Sequence, residues 1–248
     1  MAEFKIKIAG QVARVTSLFD SSRDYCARYL TEEKEGFSVV VKREDMEFEQ
    51  AALLAEAQEE GMRPRTFTDP FLDRAAIQRA VAEHLFAWDT LMLHGSLVAV
   101  DGEGYLFIAA RCGTGKSTHT RLWRQLLGER AVIVNDDKPF LRLTETGVFA
   151  CGAPWSGKHG LDTNITVPLK GICLLERGQE NQFRPAAPED LLPTLLKESY
   201  CPLSEEKTSR HRLLVEKLAE AVPLWCMACT KDISAARMAF GDMSGKKE

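Results

Sequence analysis

The chain has little of what would place it in a membrane or on nucleic acid. Across 248 residues no apolar run approaches the length needed to span a bilayer, and the mean hydropathy is −0.20. Basic residues are not in excess, since the net charge is −4, and this argues against non-specific nucleic-acid binding. The first residues, Met-Ala-Glu-Phe-Lys, lack the apolar core of a secretion signal. We therefore expect a cytoplasmic protein with neither a membrane nor a nucleic acid as its partner.

Close cysteine pairs are also scarce. The sequence has seven cysteines, an odd and scattered set, and Cys226 and Cys229 form its one close pair. A structural zinc site would need a second such pair. A redox pair of this spacing opens a helix, whereas the apolar residues 223–230 are typical of a strand. Structural thiols are therefore favoured here over a redox role.

The apolar content, 45% of residues, is enough for a sizeable core. We predict an α/β protein with a small N-terminal α/β subdomain over residues 1–68, a larger domain over residues 69–243 and a polar tail over residues 244–248. Asp69 is expected to be the N-cap of a helix that opens the larger domain, with Pro70 at its first helical position.

Short apolar runs in the larger domain predict a mixed β-sheet. Asp101-Gly102 is a strong hairpin signal between strands at residues 96–100 and 104–110. The strand at 104–110 would therefore be the second arm of an antiparallel hairpin, while other neighbours are parallel. Further strands are expected at residues 91–94, 131–134, 140–143, 148–151, 172–175 and 223–230, and helices at residues 118–127, 188–198 and 205–221.

Residues 104–120 carry the strongest chemical signal. An apolar strand is followed by a loop with Gly113 and Gly115, and then by Lys116 and Ser117 at the start of a helix. Glycines let backbone N–H groups curl around a phosphate, the helix N-terminus favours an anion, and the lysine and serine suit phosphates and Mg²⁺. The alternative is a chance glycine-rich turn.

The predicted phosphate-binding loop departs from the usual G-x-x-x-x-G-K-[ST] pattern at one position, where Ala110 stands in place of the first glycine. We expect His119, just inside the following helix, to face solvent. The expected nucleotide-binding residues are Arg111, Cys112, Gly113, Thr114, Gly115, Lys116, Ser117 and Thr118.

Two adjacent acids follow the buried strand at residues 131–134. Asp136 and Asp137 would point in different directions at a strand end, so that one can hold Mg²⁺ while the other accepts a proton from the phosphate acceptor. The alternative is a simple polar turn. His94 ends an earlier strand, and the sheet order would bring it to the side of the terminal phosphate.

Residues 152–160 are the best candidate for the acceptor side. Trp155 could pack on a substrate, Ser156 could bond to it, and Lys158 could neutralise the transferring phosphoryl group. The alternative is a surface loop with a buried tryptophan.

The order of these motifs resembles the C-terminal kinase domain of bacterial HPr kinase/phosphorylase and the related nucleotide core of ATP-dependent phosphoenolpyruvate carboxykinase. His94-Gly95, a hairpin, the loop at residues 110–118 and then Asp136-Asp137 follow one another within residues 91–175. The resemblance implies a mixed β-sheet core of this type, containing a P-loop, with flanking helices. The family's arginine-bearing signature for its protein substrate is not evident in the sequence.

The resemblance also implies roles for individual residues. By position, Lys116 contacts the phosphates, Ser117 and Asp137 lie at the metal, Asp136 is the base, and His94 assists Asp136. It further implies ATP as the nucleotide and Mg²⁺ as its metal.

The predicted function is an ATP-dependent kinase that transfers the γ-phosphate to a hydroxyl of a small molecule, peptide or protein. The sequence leaves a homo-oligomer open. Two alternatives remain: a nucleotide-binding regulatory protein with little catalysis, and a carboxykinase-like lyase, which would require activity with oxaloacetate.

A first prediction concerns Cys112, which the sequence places within the loop near a helix N-terminus and Lys116. That setting favours the reactive thiolate. Alkylation of Cys112 should block nucleotide binding, and ATP should protect the thiol. Mass spectrometry of labelled protein measures this, and equal labelling with and without saturating Mg-ATP would contradict it.

Overall fold

The chain forms two compact units, Met1–Ala87 and Trp88–Glu248. The structure is a computed structural model that describes residues 1–59, 61, 63, 65–111, 113–157, 159–202 and 204–246. Two residues singled out from the sequence, Cys112 and Lys158, lie outside the described residues.

The first unit combines a three-stranded sheet with helices. The elements of this unit are β1 Ala2–Ile8, β2 Gln11–Ser17, α1 Asp20–Tyr25, β3 Phe37–Val40, α2 Arg43–Glu59 and α3 Asp69–Leu85. The sheet has the order β1-β2-β3, with β1 and β2 antiparallel and β3 parallel to β2.

The sequence predicted a domain boundary after residue 68. In the structure the boundary between the two units lies after Ala87. Helix α3 packs against α2, β2 and β3 of the first unit. Its buried Asp73 accepts hydrogen bonds from the Ser17 hydroxyl (2.9 Å), the Leu18 N–H (2.9 Å) and the Ser22 hydroxyl (2.5 Å). These bonds fix α3 to β2 and α1. The N-cap of α3 is Thr68 and not Asp69, so Pro70 lies at the second helical position and not at the first.

The second unit is mixed α/β and contains all the expected site residues. Its elements are β4 Thr90–Met92, β5 Ser96–Val100, β6 Glu103–Ile108, α4 Lys116–Leu127, β7 Ala131–Asn135, β8 Phe140–Thr144, β9 Gly147–Cys151, β10 Thr166–Arg177, β11 Gln182–Pro185, α5 Pro188–Glu198, α6 Glu205–Ala221, β12 Leu224–Cys229 and α7 Ile233–Ser244. The helices flank the sheet, and α4 packs against α7 and against β5, β6 and β7.

The sheet of the second unit is mixed, as expected. Its main path runs β4-β8-β9-β10-β6-β5-β7, and β12 pairs with β10 and β11. Strands β5 and β6 form the predicted antiparallel hairpin, and its turn residues Asp101 and Gly102 have φ angles of 52° and 82°. Strand β6, which precedes the glycine-rich loop, is antiparallel to β5 on one side and parallel to β10 on the other.

Helix α4 covers the sheet through aromatic side chains. The buried Trp123 ring packs against the rings of Tyr105, Phe107 and Phe240. His119 is also buried, which corrects our expectation that it faces solvent, because it accepts a hydrogen bond from Trp123 Nε1 at 3.3 Å and contacts Phe107. This burial lowers the pKa of His119 to about 4, so the ring is a neutral core residue.

Cys226 and Cys229 lie on β12, as the strand-like pattern indicated. Three positions apart on a strand, they point to opposite faces of the sheet. Burial raises the pKa of each thiol, which disfavours the thiolate that redox exchange requires. The structure therefore favours structural thiols. Within the described part of the chain, no helix combines the length and apolar character of a membrane span.

Glycine at position 171 allows β10 to approach the start of β12. A Cβ at Gly171 would overlap the ring of Trp225 and lie 2.7 Å from the Pro223 carbonyl oxygen. Strand β10 pairs with both β6 and β12 at this point. A side chain at position 171 would therefore disturb the pairing of the strand that leads into the glycine-rich loop.

We expect Gly171→Ala to lower the free energy of unfolding of the second unit by about 2 kcal/mol, because the added methyl has no room. Gly241→Ala in helix α7 is the matched control, since its Cβ would meet only an ordinary contact at 3.5 Å. That variant should be unchanged or up to about 1 kcal/mol more stable. All four tryptophans lie in the second unit, so urea unfolding followed by tryptophan fluorescence measures both, and equal stability of the two variants would contradict the expectation.

Candidate functional site

The glycine-rich loop joins β6, which ends at Ile108, to α4, which begins at Lys116. Gly113 and Gly115 have φ angles of 73° and 123°, values that side chains disfavour, and Gly115 is the N-cap of α4. The Thr114 hydroxyl donates to the Arg111 carbonyl oxygen at 2.7 Å. The strand–loop–helix context predicted from the sequence is therefore present.

The exposure of the loop residues differs along the loop. Arg111 and Gly113 are exposed, Ser117 and Thr118 are half-buried, and Lys116 is buried at 8% exposure. A lysine that the fold buries at the first turn of a helix has its stem packed against protein, so its position is well defined.

The two aspartates follow β7 and come to the start of α4. The Ser117 hydroxyl donates to the main-chain carbonyl oxygen of Asp136 at 3.4 Å. Strand β7 lies beside β5, which separates it from β6 in the sheet. The sheet order therefore brings the acidic pair and the glycine-rich loop to one edge.

Asn135 organises this edge and was not singled out from the sequence. Its fully buried side-chain amide donates to the carbonyl oxygens of Ala153 (2.8 Å) and Trp155 (3.2 Å). Its Oδ1 accepts from the N–H groups of Asp137 (2.8 Å) and Lys138 (2.7 Å). One side chain thus holds both the acidic turn and the loop at residues 152–160.

The two aspartates have different surroundings. Asp136 is 4% exposed, and its Oδ1 accepts from the Gly157 N–H at 2.7 Å. Burial raises the pKa of Asp136 and the neighbouring Asp137 adds to the rise, while the Gly157 hydrogen bond opposes it. The side chain of Asp137 is 35% exposed. A carboxylate buried beside another acid is an electrostatic setting that a cation would relieve.

The close approach of Gly157 to Asp136 favours glycine at that position. A Cβ at residue 157 would lie 3.3 to 3.4 Å from the three atoms of the Asp136 carboxyl group, which is tighter than ordinary contact. The chain at Gly157 therefore lies directly over this carboxylate.

His94 lies beside Asp137 and not beside Asp136, the partner expected for it. Its Nε2 is 3.4 Å from Asp137 Oδ1, and its Nδ1 is 2.8 Å from Glu198 Oε2. The Gly95 N–H also donates to the Asp137 carbonyl oxygen at 2.9 Å. Backbone and side-chain contacts together fix His94 between two carboxylates.

Glu198 ends helix α5 and is the main site residue that sequence reasoning missed. Burial alone would raise the pKa of Glu198, but the hydrogen bond and charge of His94, with the charges of Lys116 and Lys197, lower it. Glu198 is therefore ionised at neutral pH and pairs with His94.

Two cations at the loop were also missed. Lys197 Nζ donates to the Ala110 carbonyl oxygen at 3.4 Å, and an Arg177 guanidinium N–H donates to the Gly113 carbonyl oxygen at 2.7 Å. Arg177 ends β10, the parallel neighbour of β6, and this is a position where ligand-contacting residues often lie. The sequence prediction ended this strand at residue 175, so it did not single out Arg177.

The acceptor-side candidates are placed as follows. Trp155 is 5% exposed and packs edge-on against Phe140, so its ring offers little surface to a substrate. Ser156 is half-buried, with its hydroxyl 3.3 Å from Asp162 Oδ2. Lys158 lies outside the described residues.

The described residues contain no group of three or more His, Cys, Asp or Glu side chains arranged to hold a metal. Magnesium bound with a nucleotide takes only one or two carboxylates together with phosphate oxygens. The Ser117 hydroxyl and the buried Asp136 carboxylate are oxygen donors of the kind this metal prefers, so the residues present fit it.

Comparison with known proteins adds a distant structural likeness. No protein-family model matches the sequence, and no curated protein matches it. Among solved structures, the chain is similar to the Hpr(Ser) kinase/phosphatase from Coxiella burnetii, with 12% identity and a TM-score of 0.37. The match covers 62% of this chain and 93% of that chain. At this level we draw no conclusion about family or activity.

The Arg177 contact yields a prediction about nucleotide affinity. Arg177→Ala removes a charged donor that holds the Gly113 carbonyl, so the loop should be less ordered before it binds. We expect about fivefold weaker binding of Mg-ATP by isothermal titration, equivalent to about 1 kcal/mol. Arg212→Ala, which removes a surface ion pair on α6, is the control. Equal affinity in both variants would contradict the role of Arg177.

Proposed function

We propose that this chain is a phosphotransferase that moves the terminal phosphoryl group of a nucleoside triphosphate to a hydroxyl. One observation carries the proposal: the glycine-rich loop, Asp136, Asp137 and His94 come together at one edge of the sheet. ATP is the expected nucleotide, from the resemblance in its motifs. Phosphoryl transfer requires that the reactants be held in position and that the phosphate charge be stabilised, and these groups would do both.

The phosphate side of the proposed site is the loop and the start of α4. Backbone N–H groups from Gly113 to Ser117 and the helix N-terminus would hold phosphate oxygens. Lys116 would neutralise the charge that moves onto the leaving nucleotide. When bound, Mg²⁺ would shield the phosphate charge.

The two aspartates would divide the remaining tasks. We assign Asp136, together with Ser117, to the metal side, because its carboxylate is buried beside another acid. We assign the acceptor's proton to Asp137, because it is partly exposed and His94 faces it. The resemblance in sequence implies the reverse assignment, and the experiment below distinguishes the two.

In the reaction, the acceptor oxygen forms a bond to the terminal phosphorus as the bond from that phosphorus to the bridging oxygen breaks. The nucleoside diphosphate leaves, and the hydroxyl proton passes to Asp137. With a proton on Nε2, His94 would donate to the carboxylate of Asp137 and stabilise it before transfer. The acceptor would be a hydroxyl-bearing small molecule or peptide, and the half-buried Ser156, next to Gly157 over Asp136, is a candidate contact for it.

The main alternative is a regulatory protein that binds a nucleotide and catalyses little. Binding alone does not require a histidine held against a carboxylate, so the His94–Asp137 contact favours transfer. The screen that decides is incubation with γ-labelled ATP and Mg²⁺ against metabolite and peptide pools, with detection of labelled products. Binding of ATP without any labelled product would favour the regulatory protein, and turnover of oxaloacetate would favour a lyase.

The paired variants Asp136→Asn and Asp137→Asn test the division of tasks. Asp137→Asn should lower the transfer rate about a hundredfold or more, the usual size of a general-base contribution, and leave Mg²⁺-dependent ATP binding intact. Asp136→Asn should remove the Mg²⁺ dependence of ATP binding. Titrations with and without Mg²⁺, beside single-turnover rates, measure both effects.

The controls for this pair are Lys116→Ala and Asp242→Asn. Lys116→Ala should abolish turnover, whereas Asp242→Asn changes an acid on α7 and should behave as wild type. If the two phenotypes are exchanged between Asp136 and Asp137, the assignment implied by the resemblance is correct. If neither variant changes transfer, the acidic pair has no part in the reaction.

A further inference from the structure

The segment after helix α5 is paired with the chain at His94. The His94 N–H donates to the Glu198 carbonyl oxygen at 2.7 Å, and the Tyr200 N–H donates to the Met92 carbonyl oxygen at 2.9 Å. Leu93 and Ser199 form an antiparallel bridge between these two bonds. Residues 198–200, which we call the α5 extension, therefore run alongside residues 92–94 through this isolated bridge.

The Glu198 side chain makes a second contact with His94, at the imidazole ring. Its Oε2 lies 2.8 Å from His94 Nδ1, and the side chain is only 9% exposed. A buried carboxylate in this position accepts the Nδ1–H and holds the ring plane. Nε2 is then the nitrogen that faces Asp137.

A buried hydrogen bond between Ser199 and His211 also fixes the α5 extension. Ser199 Oγ and His211 Nε2 are 2.7 Å apart, and the two residues are 7% and 4% exposed. Burial lowers the pKa of His211, so this ring is neutral. His211 belongs to α6, which packs against α5. The pair therefore ties the extension to a helix outside the site.

We propose that Glu198 is a positioning residue that acts through His94, with the Ser199–His211 hydrogen bond fixing the extension that carries it. The proposal rests on the proposed function, in which His94 supports Asp137. Glu198 itself would touch neither the nucleotide nor the acceptor. Its contribution is to accept the Nδ1–H and to fix the orientation of the imidazole, so that Nε2 stays directed at Asp137.

The first readout does not depend on activity. Nitrogen-15 spectra of the histidine side chains report which ring nitrogen carries a proton, and His94→Gln identifies the His94 signals. In the wild-type protein the His94 Nδ1 should be protonated. Glu198→Ala should change the His94 pattern, and Glu189→Gln, at the exposed start of the same helix, should not.

The second readout separates kcat from KM. Glu198→Ala should lower kcat about tenfold to a hundredfold, the range seen when a histidine loses its carboxylate partner, with KM for Mg-ATP changed less than twofold. Glu198→Gln keeps an acceptor oxygen and should recover part of the rate. Ser199→Ala should lower kcat in the same direction by a smaller factor, because the extension loses its anchor. Unfolding midpoints by tryptophan fluorescence exclude variants that are not folded.

The outcomes separate this proposal from the proposed function. An unchanged His94 spectrum in Glu198→Ala overturns the positioning role, whether or not the wild-type protein shows transfer. A rise in KM with unchanged kcat also overturns it, because Glu198 would then act on the nucleotide. If the wild-type protein transfers no phosphate, the proposed function fails, and the spectrum alone decides whether Glu198 positions His94.

Discussion

The hydrogen bonds of the Asn135 side chain are the interaction on which the rest of the site depends. The amide is fully buried at the end of β7, and it satisfies two carbonyl groups of one loop and two N–H groups of the acidic turn. A buried amide with all these partners is strongly fixed, since any movement would leave polar groups unpaired. The positions of Asp136 and of the loop above it therefore follow from a residue that makes no contact with a substrate in the proposed reaction.

The same edge shows how one acidic dipeptide provides two chemical environments. Asp136 turns under Gly157, where burial disfavours its charge, and Asp137 turns outward to an imidazole. Adjacent residues at a strand end leave the sheet in different directions, so a single turn separates them. The difference in surroundings is the physical basis for assigning different tasks to the two acids.

Local features of this site could be predicted from the sequence. The strand, glycine-rich loop and helix, the Asp101-Gly102 hairpin and the acidic pair after β7 all have short-range signals in turn chemistry and hydrophobic pattern. Glu198 could not be found in this way, because it lies 104 positions after His94 in the sequence and the fold alone brings the two residues together. His119 was misjudged because a polar residue in an amphipathic helix is normally exposed, and here a tryptophan one turn later donates to it. The unit boundary was misjudged because α3 has the pattern of a core helix, and the pattern does not say which core it joins.

In the proposed reaction, the approach of Gly157 to Asp136 has a consequence for any change of acceptor. A side chain at residue 157 would press on the Asp136 carboxyl group and tend to displace it. The selectivity for the acceptor could therefore change through substitutions at half-buried neighbours such as Ser156, while residue 157 remains glycine. An engineer who wished to retarget the loop would vary the sequence on either side and leave that single position untouched, so that a new acceptor met the same acid in the same place.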